Sequence, residues 1–159
     1  MATGFDGFVS LLDPPVYVVT TAVGKRRAGC LVGFASQCSI DPPRFVVWIS
    51  KANHTYELAG SADVLVVHLL PKNHALAELF GGQTGDEVDK FSQVPWTPGP
   101  GGAPVLTQAL DWFAGRVEDH ADWGDHVGYL LAPVEGGTAP GGRPLSLTDV
   151  ADIQAGHPA

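Results

Sequence analysis

Cysteines, charged residues and long apolar runs are scarce in this sequence, and each shortage excludes a class of protein. The two cysteines, Cys30 and Cys38, form no CxxC pair, so they predict neither a disulfide framework nor a zinc or dithiol site. The longest apolar run, Val64–Leu70, contains His68 and falls far short of the roughly 18 residues of a membrane helix. The first residues lack the basic and apolar regions of a secretory signal. We therefore expect a cytoplasmic protein with no membrane partner.

Basic residues are also few. Nine lysines and arginines stand against 17 acidic residues, which gives a formal net charge of −8, and an acidic protein repels the phosphates of nucleic acids. We therefore expect no nucleic-acid partner. Lys25, Arg26 and Arg27 form a basic cluster that suffices for one phosphate but not for a DNA-binding face. This cluster either forms a solvent-exposed turn without a ligand or attracts the phosphates of a nicotinamide nucleotide.

Length and local patterns predict one domain, residues 1–159, built mainly from short strands. β-branched and aromatic runs indicate strands, whereas apolar residues at helical spacing and asparagine caps indicate helices. The predicted strands are Val16–Thr21, Ala28–Ser36, Phe45–Ser50, Asp63–Leu70, Ala109–Asp119 and His126–Val134. The predicted helices are Phe5–Leu12, His54–Ala59 and Asn73–Phe80, with a helical turn at Asp86–Phe91, a loop at Pro95–Gly102 and a tail after Gly136 that wraps a neighbouring surface or frays. Tight turns between the early strands favour a closed or nearly closed β-barrel over a parallel βαβ fold.

One segment resembles a known family. Residues 29–43 read Gly-Cys-Leu-Val-Gly-Phe-Ala-Ser-Gln-Cys-Ser-Ile-Asp-Pro-Pro, and they resemble the second strand and the Pro-Pro corner of the flavin reductase-like, FMN-binding split-barrel family. Similar pieces follow the family's order at Val18–Thr21, Ile49–Tyr56, Val66–Leu70 and Gly124–His126. The resemblance implies a mainly β fold with short helices, a Greek-key split β-barrel. It also implies a homodimer that holds FMN, or FAD, near the subunit interface.

Two short segments depart from the family pattern. Gly33 and Phe34 stand where the family often carries small hydroxyl residues. After Gly124–His126, the residues Val127-Gly128-Tyr129 replace a more apolar strand. Both departures concern the contacts to the flavin ring rather than the fold.

The turn from Ser50 to Thr55 suits a phosphate. Lys51 supplies positive charge, Ser50 and Thr55 supply hydroxyl groups, and the N–H groups at the helix start near Asn53 add the positive end of the helix dipole. His54 lies in the same turn and is assigned to the site with them. The resemblance implies that this turn binds the FMN phosphate. The alternative is that Asn53 only caps the helix and Lys51 is only a solvated lysine.

The segment from Gly33 to Cys38 is predicted to lie along the flavin ring and ribityl chain. Gly33 lets a planar ring approach the backbone closely. The backbone amides around Ala35, together with Ser36 and Gln37, would contact the ring's polar edge, and Phe34 and Cys38 belong to the same segment. The alternative is an ordinary barrel strand with a glycine kink.

His126 is the candidate catalytic residue, because the resemblance places it beside the flavin where a nicotinamide would dock. Any single histidine is more often a satisfied core or surface residue, and the same holds for His54, His68, His74, His120 and His157. The run Asp119–His126 is read as an acidic turn between two strands, so we expect no metal. No nucleophile elbow or Cys-His pair stands out, and a flavin enzyme needs none because the cofactor carries the redox chemistry.

Three functions fit these features. The first is an NAD(P)H-dependent FMN (or FAD) reductase, such as a component that supplies reduced flavin to a partner monooxygenase. The second is an FMN-binding electron carrier without NAD(P)H oxidation. The third is a split-barrel interaction domain without flavin, against which Lys51, Asn53, Thr55 and His126 argue.

Overall fold

The computed structural model describes residues 4–82, 89–137 and 141–153, and within these ranges the fold is mainly β with short helices. The strands are β1 (Tyr17–Val23), β2 (Arg26–Val32), β3 (Ala35–Ser39), β4 (Arg44–Ser50), β5 (Val64–Leu69), β6 (Trp96–Pro98), β7 (Pro104–Leu106), β8 (Asp111–Asp122) and β9 (His126–Gly136). The helices are α1 (Phe5–Ser10), α2 (His54–Ala59) and α3 (His74–Gly82), with 3₁₀ turns at Lys90–Ser92, Pro100–Gly102 and Thr148–Val150. Among the described residues, no helix has both the length and the apolar character needed to cross a membrane.

Seven strands form one antiparallel sheet in the order β2-β1-β5-β8-β9-β4-β3. β6 and β7 form a separate antiparallel pair. Antiparallel pairing is what the tight turns between the early strands predict, since parallel neighbours need long crossover connections.

The main core lies on one face of this sheet. Side chains alternate between the faces of a strand, and inward residues of β2 (Cys30 and Val32) pack in the same cluster as inward residues of β4 (Val47 and Ile49). These two strands are far apart in the strand order, so the sheet must curl until they share one interior. Ala59 brings α2 into the same cluster.

A second core forms on the opposite side of β1. Val18 and Leu70 pack there against Phe80 of α3 and against Leu145 and Val150 near the C-terminal end of the described chain. The tail after Gly136 therefore packs on the protein where the structure describes it, which confirms the first of its two predicted behaviours.

A buried histidine ties three strands together. His68 of β5 is fully buried, its Nδ1 lies 2.8 Å from the carbonyl oxygen of Val18, and the backbone N–H of Leu106 donates to its Nε2 at 3.0 Å. Because Nε2 accepts a hydrogen bond, Nδ1 carries the proton and the ring is neutral. His68 is therefore a core residue whose hydrogen bonds are satisfied, which is one of the two alternatives expected for it.

The predicted strand Ala28–Ser36 is wrong as a single element. β2 ends at Val32, the chain leaves the ladder at Gly33 and Phe34, and β3 begins at Ala35. β2 pairs with β1, whereas β3 pairs with β4 at the other end of the strand order. The glycine therefore marks the point at which the chain crosses from one end of the sheet to the other.

Other elements differ from the prediction in detail. The segment predicted as a loop, Pro95–Gly102, contains strand β6, because Trp96 and Thr97 pair with the following β7. Helix α1 ends at Ser10, and its apolar residues are exposed, Phe5 by 60% and Phe8 by 64%. Of the turn predicted at Asp86–Phe91, residues 86–88 lie outside the described residues.

Candidate functional site

A cavity of about 250 Å³ opens where β2, β4, α2, α3 and the C-terminal segment meet. Three of the residues assigned to a cofactor from the sequence line it, namely Gly33, Ser50 and Asn53, together with the candidate catalytic residue His126. They come from distant parts of the sequence, and the sheet brings them together. The remaining lining residues are Cys30, Leu31, Val32, Trp48, Ile49, Phe80, Gly81, Leu147, Val150 and Ile153.

The turn between β4 and α2 is held by its own hydrogen bonds. Asn53 Oδ1 accepts from the N–H of Thr55 at 2.8 Å, which confirms Asn53 as the helix cap. Ser50 Oγ accepts from the N–H of Ala52, and the Ser50 carbonyl accepts from the N–H of Asn53. The expectation of free N–H groups at the helix start is therefore wrong for Thr55. A phosphate bound here would be held mainly by side chains.

Thr55 contacts Cys30 behind this turn. The Thr55 side chain is buried, and its neighbour is the Cys30 thiol, a weak hydrogen-bond partner. Burial raises the pKa of that thiol to about 11, so the thiol is uncharged at pH 7. Thr55 itself does not line the cavity.

Lys51 is exposed and already paired. Its Nζ donates to Asp122 Oδ1 at 2.6 Å, and its backbone N–H donates to the carbonyl of Asp125 at 2.9 Å. The hydrogen bond to Asp122 raises the pKa of Lys51, so the ammonium stays charged at neutral pH. A second anion at this turn would have to share the ammonium with Asp122 or displace it.

His126 stands at the mouth of the same cavity. It begins β9 and lies opposite Ser50 in the β4–β9 ladder, so the sheet fixes its position relative to the turn. Its Nδ1 is 2.7 Å from Asp125 Oδ1, and this hydrogen bond lowers the pKa of the Asp125 carboxyl. The Phe34 ring packs on the imidazole with centroids 4.8 Å apart. The contact leaves Phe34 itself 55% exposed.

The segment from Gly33 to Cys38 divides in two. Gly33 faces the cavity and Phe34 reaches His126, as described above. The other predicted residues of this segment lie on β3, outside the cavity lining: Ala35 is half-buried, and Ser36, Gln37 and Cys38 are exposed. Ser36 and Gln37 use their side chains on nearby backbone carbonyls, at 3.2 Å each. Cys38 lines a different, apolar pocket on the outer face of the sheet.

His54 follows the cap residue Asn53 as the first residue of α2 and is half-buried. Its Nδ1 lies 3.8 Å from Glu57 Oε2 on the same helix. It does not line the cavity.

Sequence reasoning missed one whole wall of the cavity. Leu147, Val150 and Ile153 close it from the C-terminal side, and Trp48 borders it from β4. The period-2 pattern could have found Trp48, since it lies two residues before Ser50 on the same strand face. The C-terminal residues stand after a Gly- and Pro-rich stretch and carry no strand or helix periodicity, so no local signal pointed to them.

The basic cluster lies at the β1–β2 hairpin. Arg26 and Arg27 begin β2 rather than forming the turn, and the Arg27 guanidinium stacks 4.9 Å above the Trp96 ring. Within the described ranges, no three His, Cys, Asp or Glu side chains are grouped as metal ligands.

Comparison with known proteins places this geometry in a family. Residues 9–150 match the model of the flavin reductase like domain. The FMN reductase (NADH) RutF of Methylorubrum extorquens is 32% identical over 141 residues, a match that spans 88% of this chain and 68% of the relative. For other curated relatives the matched share of their length ranges from 36% to 72%.

Two solved structures show the same fold. The FMN-binding protein from Thermus thermophilus with bound p-hydroxybenzaldehyde is 28% identical, with a TM-score of 0.80 over 91% of this chain and 84% of that one. The NADH:FAD oxidoreductase SgcE6 of Streptomyces globisporus is 19% identical, with a TM-score of 0.80 over 92% of this chain and 90% of that one. The chain described here belongs to the flavin reductase-like family.

Proposed function

We propose that the protein is a flavin reductase that binds FMN, or FAD, in the cavity and reduces it with NADH or NADPH. The observation that carries the proposal is that Gly33, His126 and two residues of the phosphate turn, Ser50 and Asn53, line one cavity. These are the residues that the family resemblance assigned to ring, phosphate and nicotinamide. Membership of the family and the RutF relative, an FMN reductase (NADH), agree with it.

The phosphate end of the cofactor fits the Ser50–Thr55 turn. Ser50 and Asn53 of this turn line the cavity, and a phosphate oxygen is a strong acceptor for hydroxyl and amide donors. Lys51 would supply the charge once the exposed ion pair to Asp122 is shared or opened. Such an exposed pair contributes little free energy, so the exchange is inexpensive.

The ring end fits the wall at Gly33. Gly33 lines the cavity, and a Cβ added there would stand 3.7 Å from Leu147 Cδ1, in ordinary van der Waals contact. The absence of a side chain at Gly33 lets a planar ring approach the backbone, with Leu147 beside it. The flavin supplies the redox chemistry by accepting hydride from a nicotinamide. The protein's residues bind and orient the two rings and exclude water from between them.

His126 would orient the nicotinamide. Asp125 holds its Nδ1, which leaves Nε2 as the nitrogen available to a ligand. Since the ladder pairs His126 with Ser50, the imidazole keeps a fixed distance from the phosphate turn. His126 is thus a candidate for contact with the nicotinamide.

Split-barrel closure and a homodimer belong to the proposal. The shared core of β2 and β4 supports a barrel. The outer face of β3, β4, β8 and β9 carries an apolar pocket of about 370 Å³ beside Trp48 and Trp123, and Trp123 is 81% exposed. Exposed aromatic patches of this kind mark association surfaces. A second copy on this face would lie next to His126 and Phe34, and analytical ultracentrifugation would show a 2:1 mass ratio to the monomer.

The proposal also covers the domain organisation and the cellular location of the protein. We infer a single domain over residues 1–159 and a cytoplasmic location, where nicotinamide nucleotides are supplied. Transfer of reduced flavin to a partner monooxygenase remains the proposed physiological use.

Anaerobic reduction tests the proposal. The protein is mixed with FMN, and the flavin absorbance is followed after NADH and, separately, NADPH is added. We expect bleaching many times faster than with free FMN, and the faster nucleotide identifies the donor. Bleaching no faster than with free FMN would refute reductase activity.

An electron carrier is the second candidate, and the contact between Phe34 and His126 favours it. The phenyl ring covers the imidazole at 4.8 Å, which is where a nicotinamide would dock. In that case FMN binds with a shifted absorbance band, but neither nucleotide bleaches it. The variant Phe34→Ala separates the two cases, because uncovering His126 would then allow reduction.

A further inference from the structure

The C-terminal strap, residues Leu145–Ile153, forms a wall of the cavity that the proposed flavin site does not explain. Leu147, Val150 and Ile153 line the cavity with aliphatic side chains. Leu147 stands across from Gly33, with Cδ1 3.7 Å from the position that a Cβ there would occupy. Val150 is buried and anchors the strap in the second core.

Three backbone hydrogen bonds attach the start of the strap to the body of the protein. The N–H of Leu145 donates to the carbonyl of Leu70 at 2.8 Å, and its carbonyl accepts from the N–H of Val16 at 3.0 Å. The N–H of Leu147 donates to the carbonyl of Pro14 at 2.9 Å. These hydrogen bonds fix the first residues of the strap to the rest of the protein.

Beyond Leu147 the strap is held by the buried side chain of Val150 and by exposed polar contacts. The N–H of Thr148 donates to Asp13 Oδ1 at 2.8 Å. Asp149 Oδ2 accepts from Lys72 Nζ at 2.6 Å, and from the backbone N–H and hydroxyl of Ser146 at 2.9 and 3.1 Å. Further along, Asp152 lies 2.9 Å from Nε2 of His74. Lys72 precedes α3 and His74 begins it, so both ionic contacts fasten the strap to one edge of the molecule.

We propose that the strap is the retention element of the flavin site: Leu147 covers the bound flavin, and the Lys72–Asp149 ion pair holds Leu147 in place. This inference rests on the proposed function, because it assumes that the cavity holds a flavin. It assigns a task to a charged pair that touches neither ring nor phosphate.

The free energy of the Lys72–Asp149 ion pair determines how much its loss changes the rate of flavin dissociation. Exposed ion pairs contribute little free energy and are screened by salt. The strap therefore opens readily even when the ion pair is formed. A segment that opens locally can control access to a binding site. A ligand that leaves only when the strap is open dissociates in proportion to the open fraction. Loss of the pair should then raise the dissociation rate about two- to five-fold, the range that corresponds to one exposed ion pair.

The variants Asp149→Asn and Leu147→Ala test the two parts of the proposal. Asp149→Asn removes the charge but keeps an acceptor for Ser146, whereas Leu147→Ala removes the cover and keeps the fastening. Glu118→Gln is the matched control, because Glu118 pairs with Arg44 at 2.7 Å and does not line the cavity. FMN release is followed by stopped-flow flavin fluorescence, and backbone hydrogen exchange of the strap is measured without flavin.

We expect faster FMN release in both variants and an unchanged rate in the control. Only Asp149→Asn should also speed hydrogen exchange at Leu147, and salt should raise the release rate of the wild-type protein more than that of Asp149→Asn. Unchanged release in either variant overturns the proposal, even if the strap exchanges faster. If the wild-type protein binds no FMN at all, the proposed function fails and the inference fails with it.

Discussion

Protonation of His68 should destabilise the protein in a defined pH window. The ring is fully buried between Val18 and Leu106, and both of its nitrogens are used. A proton added at Nε2 would point at the N–H of Leu106, which now donates to that atom. Burial lowers the pKa of His68 from 6.5 to about 4, while its hydrogen bond to Val18 acts in the opposite direction.

The magnitude follows from the two pKa values. The unfolded chain binds a proton at this histidine below about pH 6.5, whereas the native protein does so only near pH 4. Between these values the unfolded state holds more protons, so the free energy of unfolding falls as the pH falls. The loss should reach about 3 kcal/mol at pH 4, a large part of the stability of a small domain.

Other shifted groups act outside this window. The pKa of Asp149 is lowered to about 2 by its hydrogen bond to Lys72, so its contribution is lost only below about pH 4. The pKa of His74 is raised by Asp152, so its contribution is present below pH 6.5 and lost as the pH rises through the folded value. A decline between pH 6.5 and 4 therefore reports on His68.

The assay is urea unfolding, followed by tryptophan fluorescence at several pH values between 7 and 4.5. His68→Gln should remove most of the decline, and the surface variant His120→Gln should keep it. An NMR titration of the imidazole gives the native pKa directly if His68→Gln does not fold. An equal decline in His68→Gln, or a native pKa above 6, would refute the reasoning.

Three further predictions concern the site and its scaffold. Lys51→Ala should weaken FMN binding about tenfold, measured by fluorescence titration, because a charge-assisted phosphate contact is lost. His126→Ala should slow flavin reduction by nicotinamide with nearly unchanged FMN affinity, measured by anaerobic stopped flow. Gly128→Ala should lower the free energy of unfolding by about 1–3 kcal/mol, measured in urea, since the new Cβ would stand 2.7 Å from Cζ3 of Trp48. Gly124→Ala, with nothing within 4 Å of the new Cβ, should change stability little.

Each of these predictions has a contrary outcome. An unchanged dissociation constant in Lys51→Ala, equal to that of the hairpin control Lys25→Ala, would remove Lys51 from the phosphate site. Loss of FMN binding in His126→Ala with normal reduction of whatever flavin is bound would assign His126 to the cofactor instead. Equal stability of the variants at Gly128 and Gly124 would show that Trp48 moves aside without cost.

The sequence predicted the helices and strands that depend on interactions between residues close together in the chain. The helix caps at Asn53 and Asn73 follow from side chains that accept backbone N–H groups two residues on, and both are present. The long strands β8 and β9 were placed within three residues at each end, because each contains a short run of aromatic and aliphatic residues. Pairing partners are not local, so the crossing between β2 and β3 at Gly33 could not be read from propensity.

The site was predictable in part for the same reason. The motif around Ser50 and the histidine at the start of β9 were found by family resemblance, and the β4–β9 ladder explains why they meet. The pairing of Lys51 with Asp122 joins residues far apart in the sequence. The apolar wall at Leu147 depends on a tail held by Leu70 and Pro14, contacts that no short pattern encodes.

The central claim is that a flavin occupies the cavity between Gly33, the Ser50–Thr55 turn and His126. A crystal structure of the protein with FMN tests it most directly. We expect the phosphate at the Ser50–Thr55 turn, and the ring against the Gly33 backbone and beside His126. FMN bound elsewhere, for example in the apolar pocket of about 340 Å³ beside Tyr17 and Phe113, would contradict it.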